Sequence, residues 1–423
     1  MALAVQARLD AQFGVDCVPA VHDAPALSPA ALPGDIRLSV YDDLSAIEQD
    51  WRAFEQHADC TVFQSFDWLA TWQRHIGARD GTMPAIVVGR DGAGDMLFIF
   101  PLSIRAASFA RELTWLGSDL CDYNTPLLAP AFSERFDRAQ FISLWENITQ
   151  RLQDNARLQF DFINLTKMPE IIGTQQNPMR HLAVTINPSG AYLTHLADNW
   201  EMFYTAKRSS ATRRRDRTKR ARLAKVGDIK LVNPADRTET LGMLDTLMQQ
   251  KTRSFAHKGV ANLFARPGYV AFYRALATDP KASHLAHVST LMVGTIAAAL
   301  NLGLTYRGCY YHLLASYDDG EVSRFGAGTA HLQDLLHLAI DRGFRIFDFT
   351  IGDERYKRDW SDTVLTLYDF IAAVTWRGAL LAMSMLAAQR IKRWIKQTPV
   401  LWSTFSAGRA FIGSLAQRFR RPS

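Results

Sequence analysis

Two adjacent side chains, Tyr356 and Lys357, form the pair in this sequence that is best suited to acid–base chemistry. A tyrosine hydroxyl can give its proton to a departing group, and a lysine ammonium can stabilise negative charge that develops during a reaction. Asp318, at the end of a predicted strand, is the first candidate for the accompanying base, with His312 and Asp348 as alternatives. An exposed Tyr–Lys pair on a loop would have the same sequence, and Asp348 could equally be a buried structural carboxylate.

A turn that contains two glycines offers a site for an anion. Gly326 and Gly328 lack a Cβ atom, so backbone N–H groups at the start of the next helix can approach a phosphate or pyrophosphate closely. Many such turns only reverse the direction of the chain. The residues predicted to hold the anion are Arg324, Gly326, Ala327, Gly328 and Thr329.

The elements around this turn follow the order strand, glycine turn, helix, strand. Residues 310–317 are aromatic and aliphatic and predict the first strand, and residues 344–349 predict the last. Between them, apolar residues recur at the spacing of one helical face, and Gly343 is placed to end the helix. The apolar residues of that face are Leu332, Leu335, Leu336 and Ala339.

Two patterns carry a family resemblance. The spacing Ser323-x-x-Gly326-x-Gly328 resembles the acyl-coenzyme A (acyl-CoA) pyrophosphate loop of GNAT acyltransferases, in which the first position is usually Arg or Gln. The downstream pattern Phe347-Asp348-Phe349-x-x-Gly352-x-Glu354-x-Tyr356-Lys357-x-x-Trp360 resembles the CelD-like branch of that superfamily, named after the cellulose biosynthesis protein CelD and related to the FemAB peptidyltransferases. The resemblance extends over about residues 38–374 and is strongest after Tyr310.

The resemblance implies attack of an amine or hydroxyl on the thioester of acyl-CoA, without a metal ion or a covalent enzyme intermediate. GNAT enzymes commonly place a tyrosine acid after the corresponding strand. Tyr356 would then protonate the thiolate, and Lys357 would stabilise the oxyanion or a charge on the acceptor. The region that contains Lys258 and Phe264 lines the acceptor cleft in the resembled family, although core packing explains Phe264 equally well.

The same order of elements occurs twice along the chain. A hairpin over residues 83–104, a helix over 134–152 with Ser133 placed to cap it, and a strand over 158–165 precede a second hairpin over 288–304 and the glycine-turn unit. We therefore predict an α/β fold with two tandem GNAT-like domains of mixed sheets flanked by helices, in a FemAB-like arrangement. The first copy has no glycine turn, so cofactor binding is assigned to the second. The expected divisions are a disordered leader over 1–35, an N-terminal domain over 36–190, a C-terminal acyltransferase domain over 191–375 and a basic amphipathic tail over 376–423.

Residues 207–225 form a strongly basic segment with ten Lys or Arg residues and the single acid Asp216. The segment predicts a helix that is either simply solvated or in contact with a phosphate-bearing acceptor, an anionic membrane or RNA. It has no interleaved aromatic residues for base stacking, which disfavours RNA. Arg208, at its start, is a candidate for substrate binding.

Composition and charge limit the other functions. The four cysteines are far apart, and His284 and His287 have no third ligand nearby, so we expect neither disulfides nor a metal site. The dispersed cysteines predict a cytoplasmic protein, and no apolar run is long enough to cross a membrane. Residues 370–423 hold nine Lys or Arg residues and no acid in a chain of net charge +6. This basic, apolar tail predicts either peripheral attachment to an anionic membrane or a polysaccharide-synthesis complex, or a helix packed on the catalytic domain.

The sequence therefore predicts an acyltransferase that moves an acyl group from acyl-CoA to an amine or hydroxyl. The CelD-like resemblance implies a sugar or glycan precursor as the acceptor. One alternative is a FemAB-type transferase that uses aminoacyl-tRNA, and another is a non-catalytic subunit of an exopolysaccharide or cellulose synthesis complex.

Overall fold

Seventeen strands and eleven α-helices lie within residues 36–397, which are the residues that this computed structural model describes. The strands are β1 (Arg37–Tyr41), β2 (Met83–Arg90), β3 (Met96–Ala107), β4 (Ala110–Trp115), β5 (Leu127–Leu128), β6 (Phe162–Pro169), β7 (Ile171–Ile172), β8 (Gln175–Gln176), β9 (Thr185–Ile186), β10 (Ala191–His195), β11 (Ile229–Val232), β12 (Ala286–Val293), β13 (Ile296–Tyr306), β14 (Cys309–Tyr317), β15 (Ile346–Ile351), β16 (Thr363–Leu365) and β17 (Leu367–Ala373). The helices are α1 (Glu48–Glu55), α2 (Phe66–Trp72), α3 (Phe132–Arg135), α4 (Arg138–Gln153), α5 (Trp200–Lys207), α6 (Ser210–Ala224), α7 (Arg237–His257), α8 (Tyr269–Thr278), α9 (Ala327–Asp341), α10 (Arg355–Trp360) and α11 (Trp376–Gln397). The predicted leader and the part of the predicted tail after residue 397 lie outside these residues.

Two mixed sheets confirm the predicted α/β fold with two similar units. The first sheet has the order β1-β2-β3-β4-β6-β17-β9, and the second has the order β11-β12-β13-β14-β15-β10-β16. Each contains one parallel pair, β4 with β6 and β14 with β15, beside an antiparallel hairpin. A helix connects the two parallel strands in both units, α4 in the first and α9 in the second, as crossover connections require.

The helix of the first unit begins later than the sequence predicts. Asp137, rather than Ser133, caps α4, because its side chain accepts a hydrogen bond from the N–H of Gln140 while the Gln140 side chain accepts one from the N–H of Asp137. The short helix α3 precedes this cap. The apolar face of α4 is buried against the first sheet and contains Phe141, Leu144, Trp145, Ile148 and Leu152.

The helix of the second unit matches its predicted face and its predicted end. Leu332, Leu335, Leu336 and Ala339 are all buried in one cluster with Phe347 and Phe349 of β15. Gly343 follows the helix with a φ of +75°, the left-handed conformation that ends helices.

Each sheet contains one strand from the part of the chain that follows the other unit. The strand β10, which follows the first unit, pairs with β15 in the second sheet, and β17 returns to pair with β6 in the first. The sequence-based division assigns residues 367–375 to the second unit, whereas their strand lies in the first sheet. A single hydrophobic cluster also joins the halves, with Phe63 in edge contact with both Tyr123 and Tyr311.

The last helix, α11, packs on the first sheet. A Cβ atom on Gly378 would lie 1.9 Å from the carbonyl oxygen of Asp161, so only glycine permits this close approach. Gln389 Nε2 donates a hydrogen bond to Asp369 of β17 over 3.0 Å. Among helices within residues 36–397, none combines the length and apolar character that crossing a bilayer requires.

Candidate active site between β14 and β15

The parallel strands β14 and β15 separate after three paired positions. The pairs are Cys309 with Ile346, Tyr310 with Phe347 and Tyr311 with Asp348, and no later pair between these strands occurs among the described residues. From His312 to Tyr317, β14 therefore pairs with a neighbouring strand on one side only, and that strand is β13. Its other edge offers unpaired backbone groups to a bound molecule.

A buried carboxyl group lies where the strands separate. Asp348 accepts hydrogen bonds from the hydroxyl of Tyr123 over 2.7 Å and from the N–H of Thr350 over 2.7 Å. Burial raises the pKa of Asp348 to about 7, with these hydrogen bonds acting in the opposite direction. Burial also raises the pKa of Asp122, next to Tyr123. Asp348 is thus a buried and hydrogen-bonded carboxyl group.

Lys357 is buried and its ammonium group already has partners. Its Nζ donates to the carbonyl of Ile351 over 2.6 Å and to that of Thr350 over 3.4 Å, and it lies 3.3 Å from a Glu354 carboxylate oxygen. A Cβ atom on Gly352 would lie 2.9 Å from the same Nζ, so the glycine leaves room for it. These contacts hold the segment after β15 in place.

Tyr356 and His312 face each other across the opening. Their ring centroids are 6.3 Å apart, and Tyr356 is 37% exposed. Burial raises the pKa of the Tyr356 hydroxyl, which keeps it protonated. Burial, with further contributions from Lys357, His331 and Lys251, lowers the pKa of His312 to about 3. No described side chain is hydrogen-bonded to the imidazole of His312.

The glycine turn lies at the N-terminus of α9 and beneath the basic helix α6. Gly326 precedes α9 with a φ of +78°, and the first N–H groups of α9, those of Ala327 and Gly328 included, have no partner within the helix. A Cβ atom on Gly326 would lie 3.7 Å from Nζ of Lys219 on α6, so the basic helix lies directly over the turn. Thr329 lies in the first turn of α9, and the exposed Arg324 places its guanidinium 4.8 Å from the Phe325 ring centroid.

The glycine turn and the His312–Tyr356 pair lie at opposite ends of the unpaired part of β14. A Cβ atom on Gly328 would be 3.6 Å from the ring of Tyr317, whereas Tyr356 faces His312. His312 lies five positions before Tyr317 on the extended strand, which corresponds to about 17 Å.

The structure does not place Asp318 beside Tyr356 and Lys357. Asp318 is the residue after Tyr317, at the glycine-turn end of β14. Its carboxylate accepts a hydrogen bond from the N–H of Gly320 and lies 3.9 Å from Arg253. His312, an alternative base in the sequence analysis, is the one that lies next to Tyr356.

The predicted substrate-binding residues are dispersed. Arg208 stacks 4.7 Å over Trp360 and lies 3.6 Å from Asp216, at a cleft between α6 and α10. That cleft is lined by Arg208, Thr212, Arg215, Asp216, Lys219, Arg355 and Asp359. Lys258 is exposed at the end of α7, and Phe264 is half-buried against Phe255 and Tyr273.

Sequence reasoning missed four residues that adjoin the site. Tyr123 and Asp122 come from the first unit, and no local pattern links them to Asp348 more than two hundred positions later. Glu354 is part of the quoted pattern but received no role. Lys251 lies on α7, and burial together with Lys258 and Lys357 lowers its pKa to about 8. Within residues 36–397, no group of three His, Cys, Asp or Glu side chains is arranged to hold a metal ion.

Residues 210–358 match the family described as the acetyltransferase (GNAT) domain. This range begins with the basic helix α6 and ends just after Lys357, so it includes the glycine turn and the opening between β14 and β15. This match assigns a GNAT-type domain to residues 210–358. The match does not distinguish the CelD-like branch, which stays a prediction.

Several solved structures share a broadly similar fold. FemX is 12% identical, with 77% of this chain and 96% of that chain covered at a TM-score of 0.49. The structure titled L-PGS from Bacillus licheniformis is 11% identical, with 84% and 98% covered at 0.46. A tandem GNAT protein from the clavulanic acid biosynthesis pathway is 12% identical, with 80% and 98% covered at 0.42. Comparison with curated protein sequences gives no significant match.

Proposed function

We propose that this protein transfers an acyl group from acyl-CoA to an amine or hydroxyl of an acceptor, in the opening between β14 and β15. The observation that carries the proposal is the position of two chemically different groups along one strand. The glycine turn lies beside Tyr317, and His312, which faces Tyr356, lies about 17 Å away along β14. GNAT domains generally use acyl-CoA. This molecule has a matching arrangement, because an extended arm separates its pyrophosphate from its thioester.

The turn supplies the charge that a pyrophosphate needs. The positive end of α9 favours an anion, and Lys219 adds a full charge within reach of Gly326. Arg324, Ala327, Gly328 and Thr329 complete the proposed cofactor site. The unpaired edge of β14 would then hydrogen-bond the amide groups of the arm.

The two proton transfers are assigned to His312 and Tyr356 because these side chains face each other across the opening. The acceptor nitrogen or oxygen bonds to the acyl carbon and its proton passes to His312, which is neutral because its pKa is lowered. The carbon–sulfur bond breaks, and the departing thiolate takes the hydroxyl proton of Tyr356. The proton on His312 is then released to solvent, and Tyr356 takes up a proton from solvent, which restores its hydroxyl.

Lys357 is proposed to position the site rather than to bind the oxyanion directly. An ammonium group has three N–H donors, and those of Lys357 face two carbonyls and one carboxylate. Its positive charge still favours negative charge that develops nearby. Asp318 is proposed to shape the cofactor end of the cleft instead of acting as the base.

The acceptor is proposed to enter on the side of Lys251, Lys258 and Phe264. These residues lie on α7 and the segment after it, and Lys251 and Lys357 affect each other electrostatically. An acceptor of sugar or glycan-precursor type follows from the CelD-like resemblance and is part of the proposal. Arg208 would contact a phosphate on such an acceptor.

A second donor is favoured by one specific observation. The cleft between α6 and α10 adjoins the glycine turn through Lys219 and is lined by four cationic side chains, Arg208, Arg215, Lys219 and Arg355. Such a surface would also attract the phosphates of an aminoacyl-tRNA. The experiment therefore has to distinguish the two donors.

Protection against thermal unfolding provides that test. A ligand at one hundred times its Kd stabilises the folded state by about 2.7 kcal/mol, which raises the melting temperature measurably. We expect acetyl-CoA or a longer acyl-CoA to protect the protein and to release free thiol when an acceptor mixture is added. Protection by aminoacyl-tRNA alone would support the second donor. Protection by neither would support a non-catalytic subunit and overturn the proposal.

Variants of one glycine locate the binding site. The Cβ of Gly328→Ala would make an ordinary contact with Tyr317, whereas the branched side chain of Gly328→Val would crowd the same ring and the anion. We expect the valine variant to lose CoA protection and the alanine variant to retain most of it. Normal CoA binding by Gly328→Val would show that the turn is not the cofactor site.

A further inference from the structure

The helix α11 carries an apolar face that faces away from the protein. Trp376, Leu380, Met383 and Ile391 are 70, 50, 59 and 57% exposed. Their spacing places them along one side of the helix, which we call the apolar face of α11. Large apolar side chains that are exposed together usually mark an interaction site.

The opposite side of α11 fixes the direction of this face. Ala382 is buried, Gly378 lies against the backbone of Asp161, and Gln389 is hydrogen-bonded to Asp369. The helix is therefore held on the first sheet at positions eleven residues apart, so the apolar face cannot turn inward without breaking both contacts.

Further exposed apolar residues lie at the start of the helix. Val374 is 48% exposed, and its N–H donates to the carbonyl of Asp161. Asp161 also accepts a hydrogen bond from the N–H of Arg111, two residues after Phe109 at the tip of the β3–β4 hairpin. Phe109 is 54% exposed. The apolar face of α11 thus continues towards a second element at the same end of the sheet.

The charged side chains of α11 itself all have one sign. Arg377 and Arg390 are exposed on α11, and Lys392, Arg393 and Lys396 follow in its sequence. Residues 370–423 contain no acid, and after residue 397 the sequence continues to combine Trp402, Phe405 and Phe411 with further arginines. An apolar stripe on a helix whose charged side chains are all cations complements a surface with an apolar interior and anionic headgroups.

We propose that the apolar face of α11 docks this protein on an anionic lipid surface, with α11 lying in the plane of the membrane and its arginines at the headgroups. A second copy of the chain would place like charges against each other across the contact, which disfavours self-association. The proposal does not depend on the acyl-transfer reaction.

Vesicle sedimentation with the full-length protein tests the proposal. We expect binding to vesicles that contain phosphatidylglycerol, much weaker binding to phosphatidylcholine alone, and loss of binding as salt is raised. The double variant Leu380→Ser/Met383→Ser should bind at least roughly tenfold more weakly. The matched control is Val364→Ser, which changes a residue of the second sheet that is 60% exposed, and it should bind as the wild type does.

A charge variant tests the role of the arginines, and hydrogen exchange of the wild type tests whether α11 contacts the vesicles. Arg377→Gln/Arg390→Gln should reduce the preference for phosphatidylglycerol by several-fold while leaving the melting temperature unchanged. Hydrogen exchange of residues 376–391 in the wild type should slow when vesicles are added, and this readout needs no variant. Absence of vesicle binding, or equal binding by the Leu380→Ser/Met383→Ser variant, would overturn the proposal. A dimer in the absence of lipid that this variant abolishes would instead assign the face to a second copy.

Discussion

Thr350 has a backbone conformation that its neighbours must impose. Its φ is +61°, which is unusual for a β-branched residue and costs about 1–3 kcal/mol. Its N–H donates to Asp348, its hydroxyl is hydrogen-bonded to Asp122, and its carbonyl accepts from Lys357. Three ionisable side chains thus hold one residue at the point where the strands separate. Strained residues held in this way occur preferentially at functional sites.

The buried lysine beside Thr350 can be tested by a change that preserves its length. Lys357→Met leaves two carbonyls and Glu354 without their cation, so we expect a loss of about 1–3 kcal/mol in the free energy of unfolding. Denaturant titration measures this loss, and Lys230→Met, at a position where the side chain is 71% exposed, serves as the control. Equal stability of the two variants would contradict the positioning role.

Removal of one hydroxyl tests the proton donor. We expect Tyr356→Phe to reduce kcat by about 10²–10⁴-fold, because a general acid contributes this much, while KM for acyl-CoA stays nearly constant. The control is Tyr317→Phe, which lies beside Gly328 at the other end of β14 and should keep its kcat. If the two variants have the same kcat, Tyr356 is not the acid.

Local patterns predicted elements well and predicted contacts between distant elements poorly. The face of α9 and its end at Gly343 follow from spacing and backbone geometry within about fifteen residues, so the sequence predicts them. The partnership of Tyr123 with Asp348 depends on how two sheets pack, and no periodicity encodes it. Asp318 follows the end of β14 as the sequence predicts, and its distance from Tyr356 likewise depends on how α10 packs and not on any local pattern.

A buried chain of hydrogen bonds links β12, β13 and β14 and makes stability depend on pH. Asn301 donates to the hydroxyl of Tyr310, which we infer donates to Nδ1 of His287, whose Nε2–H then reaches Asn233. Burial and Arg342 lower the pKa of His287 from 6.5 to about 4. A second proton on this imidazole would face a hydroxyl that already accepts one hydrogen bond.

The sign of the effect follows from the direction of that shift. The neutral histidine contributes its full stability above pH 6.5, the value in the unfolded chain, and loses it as the pH falls towards 4. The shift of this one group corresponds to about 3 kcal/mol over that interval. We expect His287→Gln, which does not titrate, to reduce the slope of the unfolding free energy against pH between about 6.5 and 4, whereas the exposed His337→Gln should leave the slope unchanged. An unchanged slope in the His287 variant would exclude this residue as the source.

At the scale of the whole molecule, the exchanged strands make the two sheets depend on each other. Asp369 of β17 accepts hydrogen bonds from the N–H of Lys167 on β6, from Asn187 and from Gln389 on α11. This single buried carboxylate therefore joins the first sheet to the segments that enter and leave the second unit. With β10 in the second sheet and one hydrophobic cluster across both, neither sheet is complete without the other half of the chain.

We therefore expect one cooperative unfolding transition, in which far-UV circular dichroism and tryptophan fluorescence coincide. Asp369→Ala leaves several buried donors unpaired and should lower the free energy of unfolding by at least about 2 kcal/mol, again in a single transition. Asp95→Ala, on the exposed turn of the β2–β3 hairpin, should change it by no more than about 0.5 kcal/mol. Binding of acyl-CoA to the second unit should shift both probes together, because β17 of the first sheet closely follows the segment that contains Tyr356. Two separated transitions, or retention of CoA binding after the first sheet has unfolded, would show that the halves are independent despite their exchanged strands.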